Sequence, residues 1–411
     1  MQNIFDVAII GGGPAGMMAA ITAAEKKNNS SELSVVLLEK NDSLGKKILA
    51  TGNGRCNLTN RFAEKSRYHG GDQQFISNVL SSFDQFKTMQ FFEELGIVLK
   101  EEDNGRIFPR TNQAQTIIDA LNHRLQEDKV NVRLNSIVKR ISKNSGNFEI
   151  TLNDGTVINS KKVVITAGGK SSSQFGSTGD GYYWAENLGH KTTETYPALV
   201  PLETVEDWPK ELSGLRLEGR TFVTDGDKII SEKNGDILFT HFGLSAPSVM
   251  AHAGRIAPFF NHKLTIHLDI FLDLSEKDLD STLIKIFESS GKKELKNALS
   301  GILPNNLSPV VLRLLEIRAE KKTAEISKED RLKIVKFLKD IPLEIKQTRP
   351  FKEAQVTSGG VALDDINEKT LESKKTKGLY FAGEILDVDG DSGGFNLQWA
   401  WSSGHLAGNL Q

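Results

Sequence analysis

Cysteine is nearly absent: Cys56 is the only one in 411 residues. One thiol forms no intramolecular disulfide, no dithiol redox pair and no multi-cysteine zinc site, which excludes a flavin-linked disulfide reductase working through a cysteine pair. Such usage suits a reducing cytoplasm. An excess of one charge is also missing. The 51 Lys plus Arg against 53 Asp plus Glu leave a formal net charge of -2, with no global attraction to nucleic acid or to an anionic membrane. Membrane-length apolar runs are missing too. The nearest, Val7 to Ala24, is uncharged, but it carries Gly11-Gly12-Gly13-Pro14 and is preceded only by Asp6. A spanning helix does not take that interruption, and a signal peptide wants a cationic start. A buried strand and a buried helix of a soluble protein are expected instead. The eight histidines show no metal-ligand spacing, so no metal is expected.

What is present is glycine, 36 of them, gathered around residues 11–16, 45–54, 168–181 and 359–408. Glycine concentrated in this way marks backbone held close to a ligand. Phe5 to Ile10 and Leu33 to Glu39 read as unbroken apolar strands either side of an alanine-rich helix from Pro14, the texture of a parallel sheet covered on both faces. Helical stretches follow around Gln74 to Leu95 and Thr111 to Gln126. Next come hairpin-like runs at Val130 to Leu134, Ile137 to Ser142 and Phe148 to Leu152, then a buried strand, Lys162 to Thr166. The middle of the chain is first β-rich, with Asp225-Gly226 and Asn234-Gly235 as expected turns, then helical with a small basic excess. Glycine-rich apolar segments return at the end. The expected architecture is α/β: a domain made from both chain ends, 1–192 and 349–411, with an inserted β-rich cap at 193–274 and a helical piece at 275–348.

Gly11-x-Gly13-x-x-Gly16 follows a strand, opens a helix and precedes a strand ending in Glu39, the context of a dinucleotide fingerprint. Gly11 permits the tight turn, Gly13 lets backbone approach a pyrophosphate, and Gly16 lets the helix pack on the strand. The helix start at Pro14 and Ala15 then offers free N–H groups and a positive dipole end to the phosphates. Glu39 can accept hydrogen bonds from ribose hydroxyls. The fingerprint alone does not separate FAD from NAD. No second copy occurs in the middle third, and the further glycine clusters suit an extended cofactor contacted along its whole length.

The run Gly45-Lys46-Lys47-Ile48-Leu49-Ala50-Thr51-Gly52-Asn53-Gly54-Arg55-Cys56-Asn57-Leu58-Thr59-Asn60 resembles the signature of the BaiN/RdsA-like flavoproteins. Gly105 to Pro109, Gly176 to Tyr182, Phe239 to Ser245, and Gly383-Glu384-Ile385-Leu386-Asp387-Val388-Asp389-Gly390 through Gly393 to Ala400 are similar to that family in the same order. The resemblance covers essentially the whole chain. Two positions depart from the pattern: Ser245-Ala246-Pro247, where Ser-Gly-Pro is usual, and the basic start of Lys170-Ser171-Ser172-Ser173. Both lie in possible substrate-facing loops.

The resemblance implies a Rossmann-type, glutathione-reductase-like FAD domain, with NAD(P)H as a possible electron donor. It extends the cofactor-contacting set beyond the fingerprint to Lys40, Lys47, Thr51, Gly52, Asn53, Gly54, Arg55, Cys56 and Asn57, then Val138, Ala167, Gly168 and Gly169. Near the C-terminus it adds Gly383, Glu384, Asp389, Gly394, Phe395, Asn396 and Leu397. Glu384 is placed for the ribitol or a phosphate-side water. The N-terminus of the last helix, expected over Leu397 to Asn409, would stabilise negative charge on a reduced flavin. Arg55 could bind a phosphate or an acidic substrate group, or be an ordinary ion pair. Cys56 is weaker as a nucleophile, since buried cysteine commonly behaves as a small hydrophobe. His241 could deliver a proton while flavin N5 delivers hydride, or be structural.

The implied activity is reduction of an activated carbon–carbon double bond on a small molecule. A uridine of ribosomal RNA, or amine oxidation, are the alternatives within the family. A non-catalytic flavin-containing RNA-binding or assembly scaffold and an NAD-only dehydrogenase are the readings of other classes. The soluble, metal-free character and the cysteine usage place the expectation in the cytoplasm.

Overall fold

The computed structural model describes residues 4–28, 31–144 and 146–410. The chain divides into two compact units, Met1–Pro197 with Phe351–Gln411, and Ala198–Pro350.

The first unit is built on a sheet whose parallel strands lie in the order Leu379–Phe381, Val157–Ile165, Phe5–Ile10, Val35–Leu38, Asn131–Arg133. Val157–Ile165 is long enough to pair also with the antiparallel strand Asn147–Leu152, which is followed by Val138–Asn144. The apolar runs are strands for the expected reason: Val7 to Ile10, Val35 to Leu38 and Val163 to Ile165 are all buried, as a sheet covered on both faces demands. Registers pair Ile10 with Ile165 and Leu38, and Ile165 with Phe381. Gly11, Thr166, Ala382 and Glu39 therefore leave the sheet side by side at its carboxyl end. The strands flanking Phe5–Ile10 are reached in opposite directions, so this is the switch point where open α/β sheets bind ligands. Asn131–Arg133 joins the parallel ladder rather than a hairpin, because it is drawn against Val36 to Leu38.

Two helices cover the switch point, Pro14–Ala24 and Phe395–Gly408. Both are buried nearly all round, so neither has a polar face to read from periodicity. They approach through glycine: a Cβ on Gly404 would lie 2.4 Å from Ala15 O, and one on Gly408 2.6 Å from Ala19 O. Trp399 and Trp401 fill the flanks, donating indole N–H to Gly383 O and Leu58 O at 3.1 and 3.0 Å. The stretch expected as one helix around 74–95 is two, Gln73–Ser82 and Gln85–Glu94. Asp84 ends the run and caps the second by accepting Lys87 N–H.

The second unit is a closed antiparallel barrel: Leu202–Thr204, Gly243–Ser245, Lys228–Thr240, Arg216–Asp225, Leu264–Asp269 and Ile341–Thr348, returning to Leu202–Thr204. Val223, Ile237, Phe239, Leu244 and Ile266 are fully buried in it. The expected turn at Asn234-Gly235 is not one. The strand runs through it with Gly235 opposite Gly219, since a side chain at 219 would meet Asp269 O at 2.6 Å. Helices Glu276–Ser289, Leu295–Leu299, Leu307–Leu314 and Lys328–Lys339 lie in sequence between the last two strands. The division expected between 193–274 and 275–348 does not separate two units, because Ile341–Thr348 closes the barrel and ties the helices into it.

Candidate cofactor site

At the end of Phe5–Ile10 the three fingerprint glycines have distinct surroundings. Gly11 has φ +110° and a Cβ there would lie 2.5 Å from Thr166 O; a Cβ on Gly16 would lie 1.8 Å from Gly11 O. These two are needed for packing. Gly13 has nothing within 4 Å of a built Cβ, so the space before the helix is open. Gly13 is the N-cap without a side-chain acceptor, and Pro14 has no N–H, so the first-turn N–H groups that follow face that space.

Around this cradle the charged residues are tied to one another. Glu39 is buried; it accepts Gly12 N–H at 2.6 Å and both the backbone and side-chain N–H of Asn41 at 2.8 Å. The expected ribose acceptor thus also shapes the glycine turn. Lys40 reaches Asp180 at 2.8 Å and Thr178 at 2.6 Å. Burial would raise the Asp180 carboxyl, but the hydrogen bonds from Lys40 and Thr178 outweigh it and hold it below the usual range. Lys47 pairs with Glu384 at 2.5 Å, and Glu384 also accepts Thr357 N–H at 3.0 Å.

The 51–57 segment is a run of left-handed backbone: Gly52 at φ +56°, Asn53 at +58°, Gly54 at +83° and Cys56 at +59°. Two non-glycine residues in that region cost free energy that the surroundings must offset, a pattern concentrated at functional loops. Thr51 anchors it, accepting Cys56 N–H at 3.0 Å through its carbonyl and donating its hydroxyl to Ile48 O at 2.7 Å. Burial pushes the Cys56 thiol up to about 12, against a small opposing effect of Thr51, so no thiolate forms near neutrality. Arg55 is in an ion pair, donating to both Glu102 oxygens at 3.0 and 3.2 Å, with its guanidinium 4.2 Å from the Phe108 ring centre. Asn57 Oδ1 is buried and has no hydrogen-bond partner among the described residues. It lies 3.0 Å from where a Cβ on Gly394 would be.

The C-terminal motif meets this loop. Gly383 has φ +83°, packs on Ala15, and is held by Ser403 through its N–H and Trp399 through its carbonyl. Gly394, at φ +99°, caps the last helix, which starts at Phe395 rather than Leu397. Asn396 is turned back onto the chain, bonding both N–H and carbonyl of Gly390 at 2.8 Å. Phe395 and Leu397 are buried, and Asp389 is buried in a short strand paired with Tyr68–Gly70. Ala167 follows Thr166, whose hydroxyl donates to Ile10 O and Gly11 O. Gly168, at φ +73°, faces Ser177, and a Cβ on Gly169 would strike Thr357 Oγ1 at 2.4 Å. Val138 is buried where its strand begins, two residues beyond Ser136, whose N–H bonds Glu39 O. Thr166, Thr357 and Ser403 escaped the sequence reading. Thr166 had a signal, ending an apolar strand before Ala-Gly-Gly; Thr357 and Ser403 had none. His241 belongs to the second unit, exposed in the turn after Lys228–Thr240, with its ring edge-on to Phe242 at 4.9 Å.

Residues 5–410 match the family described as HI0933-like protein Rossmann domain. The chain belongs to that family. It is similar to a 3-dehydro-bile acid delta(4,6)-reductase of Clostridium scindens, 34% identical over 98% of both chains. It is also similar to a ribosomal RNA dihydrouridine synthase of Escherichia coli, 31% identical over 97% of this chain and 96% of that one. In fold it resembles the crystal structure of a 3-ketosteroid delta1-dehydrogenase from Sterolibacterium denitrificans, with TM-score 0.51, 13% identity and 99% of each chain covered. This member of the HI0933-like family is an FAD-dependent oxidoreductase. The open space at Gly13 before a helix N-terminus and the unsatisfied Asn57 Oδ1 beside Gly394 fit an extended dinucleotide. Among the described residues no helix is long and apolar enough to cross a membrane, and no group of His, Cys, Asp and Glu could hold a metal ion.

Proposed function

We propose that this HI0933-like protein reduces a carbon–carbon double bond conjugated to a carbonyl in a small molecule, with NAD(P)H as electron donor and in the cytoplasm. One observation carries the reading: two relatives matched over almost their whole length bear names that share this chemistry, a keto bile acid reductase and an enzyme that makes dihydrouridine. Bound FAD supplies hydride through its N5. The chain's own part is to hold it. The first-turn N–H groups after Gly13 take the diphosphate, Glu39 and Glu384 take hydroxyl groups, and the N-terminus of Phe395–Gly408 faces charge that builds on reduction.

His241 is proposed as the proton donor to the second carbon, as an exposed imidazole. Arg55 is proposed to brace the 51–57 loop through Glu102 and Phe108 rather than to bind substrate, because its charge is already answered. Cys56 takes no covalent part, since its thiol stays protonated. The small-molecule reading is preferred to ribosomal RNA because acidic and basic residues balance within 198–350, leaving no bulk attraction for a polyanion.

The test is anaerobic reduction of the purified protein by NADH and by NADPH, followed by addition of conjugated ketones, rRNA fragments or amines. Reoxidation by a conjugated ketone, one product per flavin, is the expected result. Flavin reduced by amines and left reduced by every unsaturated acceptor would overturn it in favour of amine oxidation.

A further inference from the structure

Lys47 and Glu384 are 337 residues apart and form a half-buried ion pair at 2.5 Å, with side chains 23% and 21% exposed. The carboxylate is held from several directions. Its Oε1 accepts Thr357 N–H at 3.0 Å, and a Cβ on Gly169 would come within 2.8 Å of that same oxygen. Thr357, itself buried, uses its Oγ1 to accept the N–H groups of Lys170 and Ser171 at 2.9 and 3.0 Å. Gly383 immediately before Glu384 packs on Ala15, in the first turn of the helix whose N-terminus takes an anion. Glu384 thus directly follows the residue that packs on the helix start where the diphosphate is proposed to sit. Like charges brought near each other in a partly buried site repel unless one is neutralised.

We propose that Lys47 is a positioning residue that acts through Glu384: it cancels the carboxylate's charge so that an acceptor for cofactor hydroxyls can stand beside an anionic diphosphate. The Lys47 ammonium donates to Glu384 Oε2. The neighbouring Lys46 answers the exposed Asp42 four residues before it and has no such role. The inference rests on FAD binding and not on which compound is reduced, so the acceptor screen above and the titration below fail separately.

The test is FAD binding to apo-protein, followed by quenching of flavin fluorescence, for K47Q, K47R, E384Q and the double variant K47Q/E384Q, at low and high salt. Thermal unfolding of each apo-protein is measured alongside. K47Q is expected to weaken FAD about tenfold or more, because it leaves Glu384 unpaired beside the diphosphate. K47R should bind nearly as the parent does, and the double variant should recover most of the loss. The K47Q loss should also shrink at high salt. E384Q alone should weaken FAD less than K47Q does, an asymmetry readable even where K47Q folds poorly. A double variant as weak as K47Q would overturn the inference, making Lys47 a direct phosphate ligand. Unchanged FAD affinity in K47Q would overturn it too, leaving the pair a structural brace.

Discussion

Close-approach glycines gather in the cofactor-binding unit, while turn glycines occur in both units. In the cofactor-binding unit a Cβ on Gly11, Gly16, Gly404 or Gly408 would strike backbone oxygen at between 1.8 and 2.6 Å, and Gly13 faces open space. There the missing side chain lets chain approach chain, or chain approach cofactor. In the 198–350 unit Gly214 and Gly226 have positive φ and nothing within 4 Å, so they serve turns. Gly219 and Gly243, where barrel strands meet closely, are the exceptions. Helices differ likewise. Pro14–Ala24 and Phe395–Gly408 are buried all round, whereas Glu276–Ser289 buries Leu279, Leu283 and Phe287 on one stripe and is capped by Ser275. Close backbone approach tolerates almost no substitution; a patterned surface tolerates many.

The sharpest way to break this comparison is at the fingerprint. Gly16→Ala is expected to abolish folding of the first unit, since its methyl would overlap Gly11 O by far more than the about 1–3 kcal/mol of ordinary overpacking. Gly13→Ala should leave apo-protein unfolding unchanged and remove bound flavin, read by the loss of its visible absorption. In the other unit Gly226→Ala, at φ +58°, should cost only about 1 kcal/mol. Equal effects at 16 and 226 would end the distinction.

A pH series separates the units by another route. Burial depresses His252, in the barrel, to about 3, while its ring nitrogens meet the hydroxyls of Thr221 and Ser231 at 2.8 and 2.7 Å. Because the folded value lies below the unfolded one, the unfolded chain binds the extra proton between them. Stability is complete above about pH 6.5 and is lost as pH falls toward 3, by up to about 5 kcal/mol. His405, in the first unit, is depressed by burial to about 4 and has a narrower window of the same sign. His252→Gln should flatten the acid limb of barrel unfolding. An unchanged slope, followed by denaturant melts between pH 4 and 7, would assign acid sensitivity elsewhere.

A smaller effect is expected at Ala246. Its φ of +89° and ψ of 161° lie in a region almost reserved for glycine, at the position where the resembling sequences have one. Ala246→Gly should stabilise the second unit by about 1 kcal/mol, seen as a raised melting midpoint. The smallest is Ser327→Ala, which removes the hydroxyl that accepts Asp330 N–H at 3.0 Å and caps Lys328–Lys339; it should cost about 1 kcal/mol or slightly less. A loss at Ser327 as large as that at Gly16 would mean that the patterned helices are as intolerant as the cradle.

Much of the cradle was readable because its signals are local. Gly11, Gly13 and Gly16 carry their roles in their spacing, and Glu39 follows from its place at the end of a strand. The roles of several neighbours were not readable. Asn396, expected as a cofactor contact, bonds Gly390, and of the two readings open for Arg55 it is the ion pair, with Glu102, that is present. The expected Asn234-Gly235 turn failed because turn chemistry at two residues was outweighed by a strand that stays paired with Arg216–Asp225 straight through them, Asn234 with Arg220 and Gly235 with Gly219.

By itself the sequence determined the parallel βαβ start, the dinucleotide type of site, the absence of cysteine-pair chemistry and the joining of both chain ends in one domain. These follow from spacing and composition, which act over a few residues or over the whole chain. Only the tertiary structure decided that Lys40 meets Asp180, that Lys47 meets Glu384, and that Thr357 organises the loop at Lys170 and Ser171. Such pairs join segments more than a hundred residues apart, and side chains leave no period in the sequence to show which partner they will meet when the strands align.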